Sequence, residues 1–383
     1  MTKAGDGRPE QERDTGTVTR TPMLFLVRLA LSIAVALLSG AVAHWLTLPL
    51  PFMIGPLIAM AVVNMMGVRV AGGPLGIPMG LRIFFVPVIG VMLGASVTPE
   101  VARTIPAWWP TLLALLVYLP SIALLTAYLY RRFFGFDPAT AFFSAVPGGL
   151  LEMTIIGEAN GGNPAYVALT HFGRLILAVI AIPLALRIVF GPVGSAAVSA
   201  ANFETVSDPA DIAILVACGV AGLFGGRALR LPGAQIAGPL LLSALAHGSG
   251  FVEGNPPYLL VQIAQLVIGA SLGARFGGMS ADLMRKGIGA IFVGFAVMIT
   301  ASSCIAVAAS YLFGYDIMGT ALAFAPGGLT EMSLIALSLH LSVAFVSIHH
   351  IARIMIAVLI TPLIYRLLWP SAKKADAAER PDP

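Results

Sequence analysis

A seven-residue stretch occurs twice in this chain and restricts its fold more than any other feature. The first copy is Pro147-Gly148-Gly149-Leu150-Leu151-Glu152-Met153; the second is Pro326-Gly327-Gly328-Leu329-Thr330-Glu331-Met332, 179 residues later. The same offset pairs Asp137 with Asp316, His171 with His350, Arg174 with Arg353, Pro183 with Pro362 and Arg187 with Arg366. Ungapped agreement at these positions, over about fifty residues, marks an internal duplication. Each Pro-Gly-Gly falls inside an apolar run and interrupts it, because proline removes a helical N–H and glycine is a poor helix former.

Apolar residues make up 58% of the chain and charged residues 10%, whereas soluble domains carry roughly a quarter charged residues. Runs of roughly 17–25 apolar residues recur along the whole length, which is the span of a bilayer. The chain therefore reads as an all-α, polytopic transmembrane helical bundle. The net charge of +4 is dispersed between spans and forms no basic face, so nucleic acid is not an expected partner. The two cysteines, Cys218 and Cys304, lie in apolar spans. They make neither a disulfide framework nor a CxxC metal site, and each reads as a small core residue.

In order, residues 1–22 are polar and mixed in charge, which predicts a disordered tail. Residues 23–190 form repeat 1, residues 191–209 a linker, residues 210–369 repeat 2, and residues 370–383 a second disordered tail. The first apolar run ends in Ala41-Val42-Ala43, which looks like a signal-peptidase site. Cleavage is rejected because the run has a counterpart at 210–226 and so belongs to the repeat. The second run carries Gly55-Pro56-Leu57 against Gly238-Pro239-Leu240, at an offset of 183; the third carries Ile89-Gly90 and Gly94-Ala95 against Ile268-Gly269 and Gly273-Ala274, at 179. A four-residue insertion between them in repeat 1 accounts for the change. A fourth run, the broken segment (138–159, matched by 317–340) and a last span complete each half.

Whether the broken segment crosses the membrane or turns back decides how the halves face. Lys and Arg favour the cytoplasmic side. With the N-terminus inside, crossing segments make the halves parallel and leave Arg103, Arg227, Arg230, Arg275, Arg285 and Lys286 outside. Segments that turn back leave only Arg103 and Arg187 there. Equivalent loops also exchange charge: Arg131-Arg132 become Ser310-Tyr311, and Ser96 becomes Arg275. The expectation is two homologous, inverted repeats, each of about five spans plus a broken re-entrant helical hairpin. The chain would sit in a bacterial cytoplasmic (inner) membrane with its N-terminus cytoplasmic.

A break within the bilayer frees backbone groups that cannot face lipid, so it must line protein or a wet cavity. The half-helix that follows presents unpaired N–H groups and a positive dipole end, the device that holds ions and anions in carriers with inverted repeats. Glu152 and Glu331 lie in the first turn after each break. Arg174 and Arg353 lie in the next span, three residues after His171 and His350 and on the same helix face. Charges at such depth cost several kcal/mol unless paired or hydrated. They read either as Glu–Arg salt bridges that clamp hairpin to span, or as a central substrate and proton site. The candidate substrate- or ion-binding set is Pro147, Gly148, Gly149, Glu152, His171, Arg174, Pro326, Gly327, Gly328, Glu331, His350 and Arg353. The histidines are proton-relay candidates or hydrogen-bonded packing residues. His349, opposite Thr170, carries less weight. Asp137 and Asp316 read as helix N-caps. Asn64 and His247 are equivalent positions with no assigned role.

These paired motifs resemble the AbrB family of polytopic bacterial membrane proteins, over residues 25–369. The resemblance implies a duplicated membrane domain. Family members are labelled as ammonia monooxygenases or described as regulators of gene expression. A secondary transporter of a small-molecule or ion substrate fits the residues best. An oxygenase needs a redox metal and a ligand cluster, and the six histidines, His44, His171, His247, His340, His349 and His350, show no such spacing. No catalytic residue, metal or cofactor is expected. No P-loop is present to couple ATP, and no soluble DNA-binding domain is present, so regulation would be indirect. The Gly/Ala-rich spans allow packing within or between subunits, including a homo-oligomer.

Cysteine accessibility tests the orientation. In a Cys218→Ala/Cys304→Ala background, an impermeant maleimide should label a cysteine at Ser199 from outside and one at Ser280 from inside. Labelling of the Ser199 position from inside would make the halves parallel.

Overall fold

A computed structural model describes residues 22–48, 50–70, 72–190, 208–231, 233–275 and 281–369. Most of both tails and of the linker lie outside these residues. The described chain is helical apart from one short hairpin. Its first part runs α1 (Pro22–Trp45), α2 (Pro51–Met65), β1 (Arg69–Val70), β2 (Gly73–Pro74), α3 (Met79–Ala95), α4 (Pro99–Thr104), a 3-10 turn (Ile105–Trp108), α5 (Trp109–Phe134), α6 (Pro138–Ala145), α7 (Leu150–Ala159) and α8 (Pro164–Phe190). Its second part runs α9 (Pro209–Ala228), α10 (Ala234–Gly248), α11 (Tyr258–Ala274), α12 (Ala281–Phe313), α13 (Ile317–Phe324), α14 (Leu329–Ser338) and α15 (Val343–Leu368). The all-α reading holds with one addition. The insertion in the first part folds as the antiparallel β1–β2 hairpin, Arg69 opposite Pro74.

Among the described residues, six helical stretches are long and apolar enough to cross a membrane: Met23–Trp45, Pro99–Phe134, Pro164–Ala185, Pro209–Ala228, Leu283–Phe313 and Val343–Leu368. This is a multi-pass membrane protein. Its outer helix faces carry exposed Leu38, Val117, Leu312 and Leu367, as a lipid-facing surface requires. Cys304 belongs to that surface; Cys218 alone of the two cysteines is buried. The reading of Cys304 as a core residue is therefore corrected: it lies on α12, a helix whose apolar residues also include the exposed Ile288, Phe292 and Val307.

Two helix groups form. One holds α1–α3 and α9–α11; the other holds α5–α8 and α12–α15, with α3 packed against α14 and α15. Small residues set the close approaches in the first group. A Cβ on Gly90 would press on Ile236 and Pro239, and one on Gly94 on Leu240 and Ser243. Gly269 meets Met53, and Gly273 meets Leu57 and Met60, in the same way. So α3 lies parallel to α10, and α11 parallel to α2, with each helix seated on one from the other part of the chain. Gly55 against Ser39 and Gly238 against Gly222 repeat one contact between α1–α2 and α9–α10. Helices meet in lipid through van der Waals contact and not hydrophobic exclusion, so such Cβ-free faces carry the packing.

Asn64 and His247 acquire a role here. Asn64 Nδ2 donates to the Leu75 carbonyl (2.9 Å), and His247 Nε2 lies 2.9 Å from the Gly254 carbonyl. Each ties the end of a helix to the loop that leads into the next one.

The glycine seams give a clean stability test. Gly273→Leu should cost about 1–3 kcal/mol as an overpacked contact, read as a lowered thermal midpoint in detergent. Gly225→Leu, where a Cβ meets nothing within 4 Å, should change little. Equal effects would remove the seam argument.

Candidate functional site

Each broken segment folds back on itself. The eight residues of α6 and ten of α7 reach only about 12 and 15 Å at 1.5 Å per residue, less than a bilayer core. The Asn163 N–H donates to the Thr140 hydroxyl (2.7 Å), so the end of α7 returns to the start of α6. The rings of Phe136 and Tyr166, which bracket the hairpin, lie 5.0 Å apart. Tyr315 and Phe345 bracket the second hairpin in the same way, at 5.9 Å. Both hairpins start on aspartate caps: Asp137 accepts from the Thr140 N–H (2.8 Å) and Asp316 from the Gly319 N–H (2.5 Å).

The tips of the two hairpins meet. Pro147, Gly148, Gly149, His171 and Arg174 line one cavity of about 80 Å³ together with Pro326, Gly327, Gly328 and Arg353. Leu150, Leu175 and Ile354 complete its wall. Thus nine of the twelve residues singled out from sequence share this cavity; Glu152, Glu331 and His350 lie behind its wall. Two larger grooves, about 520 and 430 Å³, are almost wholly apolar and contain none of the twelve.

The arginines are held by backbone and not by the glutamates. Helix α6 ends at Val146, whose carbonyl accepts from the Gly148 N–H (2.9 Å), a tight turn about Pro147. Arg174 Nη2 donates to the same oxygen (3.4 Å), and His171 Nε2 faces it at 3.0 Å. In the second hairpin the Gly327 N–H donates to the Ala325 carbonyl (2.8 Å). Arg353 donates there through Nη1 (2.5 Å) and to the Gly327 carbonyl through Nη2 (2.6 Å). Arg174 and Arg353 are 5% and 2% exposed. Of their guanidinium nitrogens, Arg174 Nη1 and Arg353 Nε are buried without a protein partner. The Glu–Arg clamp is therefore not what holds hairpin to span; the cations bind the carbonyls that the breaks leave open.

The glutamates curl back over their own helix starts. A Cβ on Gly149 would collide with a Glu152 carboxylate oxygen, and one on Gly328 with a Glu331 carboxylate oxygen. A negative group there complements the helix N-terminus. A Cβ on Gly148 would meet Met153, and one on Gly327 would meet Met332. Four positions of the repeated motif are thereby explained. Its first glycine makes room for the methionine five positions on, and its second for the glutamate three positions on. Glu331 is buried, and Arg82 and Arg275 both act on it electrostatically. The Arg275 guanidinium lies over the Phe172 ring, 5.7 Å from its centroid.

The histidines differ between the two copies. Both ring nitrogens of His171 face carbonyl oxygens, Val167 at 2.9 Å and Val146 at 3.0 Å. A neutral ring donates to one of them and a protonated ring to both. His350 Nε2 lies 2.9 Å from the Leu322 carbonyl, and its Nδ1 is buried without a partner. His349 packs between the Phe345 carbonyl and the Thr111 hydroxyl. Sequence reasoning missed Tyr118 of α5, whose hydroxyl donates to the Phe324 carbonyl of the second hairpin (3.1 Å). A tyrosine in an apolar run carries no local mark of that role. Arg82, a lone base in the third run, did carry one. Among the described residues no three His, Cys, Asp or Glu side chains group as a metal site.

Comparison with known proteins adds a family. The family described as "Transition state regulatory protein AbrB" matches residues 65–369. "Uncharacterized protein YhjN" of Bacillus subtilis (strain 168) is 30% identical over 302 residues, covering 73% of this chain and 77% of its own length. "Putative regulator AbrB" of Escherichia coli (strain K12) is 24% identical over 338 residues, covering 86% and 93%. No solved structure matches significantly.

The hydrogen bonds rank the two arginines. Arg353→Ala strips two carbonyls and should destabilise by roughly 2–5 kcal/mol, and Arg174→Ala by less. Denaturation in detergent measures both; the opposite ranking would mean that these bonds do not hold the hairpins.

Proposed function

Because the chain belongs to the AbrB family, whose relatives' names specify no reaction, we propose from the site itself that it is a secondary transporter of a small solute, seated in a bacterial cytoplasmic membrane. The observation that carries this reading is the cavity lined by both Pro-Gly-Gly breaks and both arginines. Broken half-helices that meet near the middle of a duplicated bundle are how secondary carriers expose backbone to a substrate without exposing it to lipid.

The inverted arrangement is part of the proposal. Tyr130 and Phe134 of α5 meet Gly294 and Gly289 of α12, so these counterparts pack antiparallel. Counterparts related by an axis normal to the membrane would run the same way. Five crossings and one returning hairpin in each half also reverse the second half. His171, the proton-relay candidate of the first half, lines the same cavity. The E. coli relative's name speaks of regulation; in this chain, any effect on gene expression would be indirect, through the solute carried.

Tracer uptake into proteoliposomes tests the reading against small carboxylates, amino acids and inorganic cations, with and without a pH gradient. One class should enter saturably, and Arg353→Gln should slow it by about tenfold or more. Uptake no faster than in protein-free vesicles for every class would remove the transporter reading.

A further inference from the structure

Arg174 and Arg353 both line the cavity, and among the described residues their hydrogen-bond partners are backbone carbonyls and not carboxylates. We propose that the cavity binds a compact monocarboxylate, held between Arg174 and Arg353; this names the substrate class of the transporter reading and rests on it. A guanidinium offers five N–H donors in a planar fork that matches a carboxylate. Arg174 spends one nitrogen on Val146, and Arg353 spends two on Ala325 and Gly327. Arg174 Nη1 and Arg353 Nε keep an N–H without a protein acceptor, although both side chains are more than nine-tenths buried. Carbonyl dipoles orient these cations but cannot cancel their charge, and a desolvated, uncompensated charge is costly.

The carboxylates nearby do not supply the missing charge. Those of Glu152 and Glu331 fold over Gly149 and Gly328, where the helix ends receive them. Glu331 has Arg82 and Arg275 as further cations. Arg174 and Arg353 are the arginines in the cavity wall. Gly149 and Gly328, at the starts of α7 and α14, line the cavity too, but the dipole ends there are taken up by Glu152 and Glu331. Size narrows the choice. About 80 Å³ is the room of two or three waters at ~30 Å³ each, which suits a carboxylate on a very short chain better than a sugar acid or nucleotide. The apolar side chains of Leu175 and Ile354 give that short chain a surface to lie on.

Titration of the purified full-length protein with sodium acetate tests this by calorimetry and by thermal midpoint, with sodium gluconate holding ionic strength constant. Acetate should bind saturably and raise the midpoint. Gluconate, too large for the cavity, should not compete. Arg174→Gln and Arg353→Gln should each weaken acetate binding by about tenfold or more. Should an arginine variant fail to fold, Leu175→Trp fills the cavity while sparing both arginines and should abolish binding. Acetate binding unchanged in the arginine variants or in Leu175→Trp would overturn the proposal, as would no saturable binding or chloride binding as tightly as acetate. Acetate flux in proteoliposomes separates the two readings. Arginine-dependent binding without flux keeps the site and sinks transport, while flux without such binding does the reverse.

Discussion

A peptide carbonyl without a donor in hydrocarbon costs several kcal/mol, and this protein places such carbonyls at the tips of two hairpins. Val146 and Ala325 end their helices where proline denies the next hydrogen bond. The remedy is the same in both copies: a turn closed by the glycine two residues on, and an arginine brought in from the following span. That remedy explains why arginines lie so deep in the bundle. It also explains why the hairpins cannot drift from α8 and α15, since separation would strand both the cations and the carbonyls. The cavity exists because two such tips face each other.

The rest of the bundle keeps those tips in register. Helices α2 and α3 seat on α11 and α10, and not mainly on each other, so neither part of the chain completes its packing alone. The seams are made by Gly90, Gly94, Gly269 and Gly273, whose missing side chains let backbone meet backbone. In lipid this is a principal source of helix affinity. The same economy recurs at the tips, where Gly148 and Gly327 admit Met153 and Met332.

The two copies agree in backbone and differ in chemistry. His171 joins Arg174 at the open carbonyl, whereas His350 retreats to Leu322 and leaves Arg353 to hold two carbonyls alone. Arg82 and Arg275 address only Glu331, because the positions 179 residues away from them are Val261 and Ser96. Glu152 and Glu331 share a place in the motif but not an electrostatic setting. The two motif copies share a backbone plan, and the residues around them make its two ends unlike.

Composition and apolar run length already required a membrane-embedded helical bundle, because so few charges and so many long apolar runs have no other stable solvent. The doubled motif, the breaks, the aspartate caps and most of the cavity-lining residues were legible for a local reason: proline, glycine and buried charge carry their constraints wherever they stand. What local chemistry could not supply was partnership. Whether Arg174 faced Glu152 or a carbonyl depended on how α8 lies against the hairpin tip. The β1–β2 hairpin in the insertion, the lipid-facing side of Cys304 and the bond from Tyr118 to Phe324 depended likewise on neighbours hundreds of residues away or on a helix's rotation. An apolar span reads the same on every face in sequence. Only packing decides which face meets protein, which meets lipid, and which closes on the other hairpin to make a cavity.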